Sequence, residues 1–110
     1  MGIHFVALPL LVALSASSAA QARDLRGFYR ERCLVCHGAD GTGRGPSGVR
    51  LGGRNLADGR WFARQEDAAL AASILKGRGA MPGFGRQLSE ADARRLVGDV
   101  LRPLAAHKKP

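Results

Sequence analysis

Cys33-Leu34-Val35-Cys36-His37 reads Cys-x-x-Cys-His, the spacing at which a haem attaches covalently to a polypeptide. Two thiols three positions apart on a helical turn can each bond one vinyl group of the same porphyrin. The imidazole that follows is then carried under the iron as an axial ligand. On this reading the protein handles electrons. The pentapeptide has competitors. In an oxidising compartment two cysteines can form a disulfide. A thioredoxin-like Cys-x-x-Cys needs a βαβ setting, and the chain shows no convincing strands. A zinc site wants four ligands at paired spacing, whereas this chain has two cysteines, and its other histidines are His4 and His107.

The N-terminal segment bears on the compartment. Phe5 to Leu14 is an apolar run, followed by small residues and then Ala20-Gln21-Ala22. That is the hydrophobic core and cleavage site of a secretory signal. The expectation is a signal peptide over residues 1–22, cleavage after Ala22, and a domain over residues 23–110, soluble in the periplasm with no stable membrane span. The weak feature is the absence of Lys or Arg before Phe5. Residues 3–22, kept as an anchor, are long enough to cross a bilayer, although Ser15, Ser17, Ser18 and Gln21 dilute them.

Residues 1–22 carry no charged side chain, so the formal charge of +8 sits on the remaining domain. Export argues against nucleic acid as the partner. A scattered, mostly Arg surface is either simply solvated or steers docking onto redox partner proteins with an acidic face. The domain is small, with a thin core, and its aromatics are Phe28, Tyr29, Trp61, Phe62 and Phe84. A buried porphyrin would act as a staple.

Three helices are expected, giving an all-α fold. The first spans about 25–35, with Asp24 as N-cap and Leu25, Phe28, Tyr29 and Arg32 at helical spacing. The second spans about 65–76, with Glu66 and Asp67 in its first turn, Lys76 in its last, and Gly77 just past its end. The third spans about 90–102, opened by a Ser89/Asp92 capping box and stopped by Pro103. Between the first two lies a glycine-rich loop, residues 38–60. Gly41-Thr42-Gly43-Arg44-Gly45 lacks the ending and the preceding strand of a phosphate loop. Glycines also let a backbone approach a flat cofactor closely.

The iron's other face needs a ligand. Met81 is the one methionine of residues 23–110. It sits between glycines and a proline, Gly77-Arg78-Gly79-Ala80-Met81-Pro82-Gly83-Phe84, which suits a rigid loop presenting a thioether. Met/His ligation raises the reduction potential. The alternatives are core filling by Met81 and ligation by His107 from the polar tail.

Taken together, these motifs resemble the small class I c-type cytochromes with Cys-x-x-Cys-His-Gly near the start and Met-Pro-x-Phe downstream. The resemblance covers residues 24–104. It implies a small all-α fold, about three main helices wrapped around one covalently bound haem c. It implies Cys33 and Cys36 as thioether anchors and His37 and Met81 as iron ligands. Tyr29 matches the first-helix aromatic, and residues 38–46 resemble the glycine loop. The resemblance makes the carbonyl of Pro46 the acceptor for His37 Nδ1, and places Arg60 and Trp61 at a haem propionate. Trp61 could equally be core. The family usually has glycine where Leu25 stands and an aromatic near Val100, which suggests a compensating volume swap where the first and last helices cross. The implied function is extracytoplasmic electron transfer, as a diffusible carrier or as a cytochrome subunit, with no substrate chemistry of its own. An open distal face would instead suit a haem enzyme or gas sensor.

Overall fold

The computed structural model describes residues 1–10 and 23–107. The expected cleavage site, Ala20 to Ala22, and the tail 108–110 lie outside the described residues. Residues 1–10 carry no helix or strand. Among the described residues no helix is long and apolar enough to cross a membrane.

The fold is all-α. An N-terminal helix runs over residues 25–37. Asp24 caps it, with its carboxylate accepting the Gly27 N–H at 2.9 Å. Partway along, Tyr29–Cys33 widens into a π turn, closed by the Leu34 N–H donating to the Tyr29 carbonyl five residues back. Leu34–His37 then returns to α geometry. The helix therefore continues two residues past the expected end, through His37.

A short helix, Gly59–Ala63, falls at the end of the expected loop. The Asp58 carboxylate caps it by accepting from the N–H groups of Arg60 and Trp61, and it buries Phe62. The third helix, Asp67–Lys76, ends at Gly77 with φ +82°.

The C-terminal helix covers residues 90–107. Ser89 and Asp92 form the expected reciprocal capping box. Leu96–Leu101 is a second π turn, where the Arg102 N–H reaches the Val97 carbonyl. Pro103 does not stop the helix, which proceeds over Arg102–His107. Proline normally clashes with the carbonyl four residues back and lacks an N–H. Here it falls just past the last i→i+5 bond, where the hydrogen-bond register returns to i→i+4.

The N-terminal helix packs on the π segment of the C-terminal helix, and the third helix packs along that same last helix. The core joins Leu25, Phe28 and Tyr29 to Phe62, Ile74, Phe84, Leu88, Leu96, Val97 and Leu101. Phe28 and Phe84 meet edge to face, 5.5 Å between centroids. Leu25 is buried in this crossing, while Val100 only lines its edge. Arg102 ties the ends together, with an ion pair to Asp67 and its guanidinium over the Phe62 ring.

Candidate haem site

Cys33 and Cys36 lie three positions apart, so they share one face of the N-terminal helix. Both are free thiols, Cys33 half-buried against the core and Cys36 exposed. Burial pushes the Cys33 thiol up to about 11, with the neighbouring Cys36 adding to the shift. Among the described residues no group of three His, Cys, Asp or Glu side chains could hold a metal directly. The described structure thus gives no support to a zinc cluster.

His37 is the last residue of the same helix, and its position is fixed three ways. Its carbonyl accepts the Gly43 N–H at 2.7 Å, and the Cys36 carbonyl accepts the Gly53 N–H at 2.8 Å. Its Nδ1 lies 2.9 Å from the carbonyl oxygen of Arg54. A carbonyl can only accept, so Nδ1 carries the proton and Nε2 keeps a free lone pair. That tautomer is the one an axial imidazole needs.

Arg54 therefore corrects the assignment of Pro46 as the acceptor. Pro46 is exposed in a turn closed by the Gly48 N–H on the Gly45 carbonyl, a position that suits its fixed φ. Any residue can supply a main-chain carbonyl, so residue type is a poor guide to the acceptor. The signal that could have found it is the Gly52-Gly53 pair just before it. A Cβ on Gly53 would lie 2.4 Å from the Cys36 carbonyl oxygen and 2.9 Å from His37 Nδ1. Only glycine permits this strand of loop to press so closely on the cysteine–histidine turn.

Tyr29 supports the turn from inside. Its buried hydroxyl donates to the Gly38 carbonyl at 2.6 Å, immediately after His37. Burial pushes its pKa up to about 12, with the nearby Cys33 and Asp40 adding to the shift.

Met81 sits half-buried at the rim of the same core that Cys33 and Trp61 border. Its N–H and carbonyl both pair with Arg78, at 2.8 and 3.0 Å. The segment is strapped back onto the third helix by the Phe84 N–H on Ile74 and the Gly85 N–H on Leu75. Trp61 is half-buried, edge-on to Phe62 at 5.9 Å, with the Arg54 guanidinium 4.4 Å from its ring centroid. Arg60 is exposed, its N–H used by the Asp58 cap. The side chain of His107 lies outside the described residues.

The donor set fits a covalently attached haem. Two unpaired thiols on one helical face, an imidazole held as the Nε2-free tautomer and a loop-borne thioether are the donor types that two attachment points and two soft-to-borderline ligands would need.

A family model described as "Cytochrome C oxidase, cbb3-type, subunit III" matches residues 20–98. The chain is similar to the Cbb3-type cytochrome c oxidase subunit CcoP of Cereibacter sphaeroides, 34% identical over 86 residues, covering 77% of this chain and 26% of that protein. It is 35% identical over 71 residues to subunit FixP of Azorhizobium caulinodans, covering 64% of this chain and 23% of FixP. The chain thus spans about a quarter of the length of these two relatives. Cytochrome c6 of Synechocystis sp. is 31% identical over 103 residues, covering 87% of this chain and 82% of that protein. Among solved structures, the KustC0563 c-type cytochrome superposes with a TM-score of 0.60 at 29% identity, over 78% of this chain and 99% of that one.

Proposed function

The chain belongs to the c-type cytochromes, in the family described as cytochrome c oxidase, cbb3-type, subunit III, and from that premise we propose that it relays single electrons without substrate chemistry of its own. It carries covalently bound haem c and is an electron-transfer cytochrome, as a carrier or as a subunit of a larger complex. When bound, the haem supplies one-electron exchange between ferric and ferrous iron.

The chain's own residues hold and tune that group. Cys33 and Cys36 anchor it through thioether bonds. His37 Nε2 and the Met81 sulfur would hold its iron, and with both bound the group would exchange electrons rather than take a substrate. Arg60 and Trp61 are the candidate partners of the propionates, by charge and by indole N–H donation. The observation that carries this reading is the 2.9 Å contact of His37 Nδ1 with the Arg54 carbonyl. It fixes which nitrogen is free.

The domain works outside the cytoplasm, with residues 1–22 as an export leader and residues 23–110 as the periplasmic haem domain. Its charge of +8 favours partners with an acidic docking face, so the rate of electron exchange with such a partner falls as salt rises. The test is an absorption spectrum of the exported protein, ferric and then dithionite-reduced, after acid extraction has failed to remove colour. The expected result is a low-spin c-type spectrum with a weak ferric thioether band that Met81→His abolishes. A high-spin spectrum that shifts with cyanide would overturn axial closure, and a colourless product from a host that matures haem c would overturn the whole reading. N-terminal sequencing should begin at Arg23.

A further inference from the structure

Arg54 reaches two places at once. Its main-chain carbonyl receives the His37 Nδ1 proton at 2.9 Å. Its guanidinium lies over the Trp61 ring, 4.4 Å from the centroid. Any residue would bring a carbonyl, so the question is what keeps this one in reach. On one side Gly53 is pinned to the Cys36 carbonyl at 2.8 Å, and on the other the Leu56 N–H donates to the Gly41 carbonyl at 2.6 Å. Residue 54 stands exposed between these two points. A guanidinium stacked on an indole face gives it a third attachment, one made by a side chain and therefore particular to this sequence.

We infer that Arg54 is a positioning residue for the axial histidine, its guanidinium braced on Trp61 so that its carbonyl stays within hydrogen-bond reach of His37 Nδ1. The inference rests on His37 being an axial ligand and deepens that reading, by naming a side chain that acts on the potential through the histidine. The stronger the carbonyl's hold on the Nδ1 proton, the more electron density the imidazole passes to iron, and the more the ferric state is favoured. Freeing the carbonyl should therefore raise the midpoint potential. Simply deleting a positive charge near the iron does the opposite, because it favours the ferric state by Coulomb's law. The sign of the shift separates the two effects.

The experiment is redox titration of the haem-loaded protein, combined with NMR measurement of the His37 Nδ1–H exchange rate. The variants are Arg54→Ala, Arg54→Lys, Trp61→Leu and the double variant Arg54→Ala/Trp61→Leu. Arg94→Ala, in an exposed pair with Glu90 on the C-terminal helix, controls for loss of charge. Arg54→Ala and Trp61→Leu are each expected to raise the potential and speed Nδ1–H exchange. A roughly threefold rise in the ferrous-to-ferric ratio at fixed poise corresponds to about 30 mV, at ~59 mV per tenfold for one electron. The double variant should shift no further than the larger single one, since both remove the same brace. Arg54→Lys should fall between the wild type and Arg54→Ala, because a cation stays near the ring without the planar stack.

A negative or absent shift in Arg54→Ala, unchanged exchange, or additive single shifts would overturn the inference. If Arg54→Ala fails to accumulate with haem, Trp61→Leu decides the matter from the other side of the contact. A wild-type protein that is not low-spin would instead defeat the axial-ligand reading beneath it.

Discussion

The histidine side and the methionine side of the site are built by different means. His37 ends a helix, and both its main chain and its ring are held by a loop up to 17 residues away in sequence. Its imidazole is aimed by a directed hydrogen bond. Met81 stands in a tight turn with Arg78, hung from the end of the third helix by main-chain bonds to Ile74 and Leu75. A thioether offers almost nothing to hydrogen-bond, so its sulfur can be placed only by the length and stiffness of the strap and by packing against the core. Of the two proposed ligands, the histidine is fixed by polar contacts and the methionine by chain geometry. Damage on the first side should cost the fold together with cofactor retention, and damage on the second side mainly the ligation.

Gly53→Ala strikes the histidine side hardest. The new methyl would lie 2.4 Å from the Cys36 carbonyl oxygen, and the atoms it meets are backbone and a ring that cannot swing away. A loss of about 3 kcal/mol is expected, with a sharp fall in the yield of haem-loaded protein, both measurable by denaturant titration and colour per mole of chain. Near wild-type values for both would break the contrast. Gly77→Ala tests the other side. This glycine has φ +82°, and a Cβ would stand 2.7 Å from the Met81 carbonyl oxygen and from Gly83 N. The expected cost is about 2 kcal/mol, with covalent haem retained and the ferric thioether band weakened. Loss of colour instead would show that the methionine strap also governs assembly.

Tyr29→Phe sharpens the comparison from beneath the histidine. It strands the Gly38 carbonyl and should cost about 1–2 kcal/mol at neutral pH. The tyrosine's pKa is raised from 10.0 to about 12, so the folded state holds its proton more tightly than the unfolded chain. Its contribution is complete below pH 10 and is lost as pH rises towards 12. The wild type should lose stability across that window in a pH series of urea melts, and the phenylalanine variant should lack that component. With Cys33 bonded to haem as proposed, its sulfur would be a thioether that cannot ionise, so burial, the largest cause, would be left to act with Asp40.

The smallest effect lies away from both ligands. Ser89→Ala removes one half of a capping box and should cost about 1 kcal/mol, with no change in the visible spectrum. Asp92 is held below its ordinary value by the Ser89 N–H and by Arg95. Its contribution is present above the usual carboxylate range and is lost as pH falls through the lowered value. Acid should therefore weaken wild type and variant alike, because the alanine variant keeps the residue-89 N–H, and leave most of the difference between them. A spectral change on Ser89→Ala would mean that the far end of the last helix does reach the site.

Features written in local chemistry were legible in the sequence. Asp24, Ser89 with Asp92, and Gly77 mark helix ends because each satisfies or relieves a specific main-chain group, and the structure uses all of them. The cysteine–histidine spacing is equally local. What escaped depends on backbone register or on distant contact. The Gly59–Ala63 helix is too short to show a period, and Pro103 reads as a stop only if the turn before it is α rather than π. The acceptor for His37 is a main-chain atom, invisible to any reading by residue type, so resemblance pointed to a proline when Arg54 supplies it.

The widened turn at Tyr29–Cys33 has an evolutionary corollary. Each residue in an α-helix turns the chain by about 100°, and a π turn accommodates one residue more than the α path would. Removing a single residue such as the exposed Arg30 would let that turn relax to α and leave Cys33, Cys36 and His37 on nearly the same face, because the π turn holds the one residue that is lost. Deletion of Arg30 should therefore keep the cofactor, while deletion of a residue between Cys33 and His37, where no π turn can take up the loss, should abolish it.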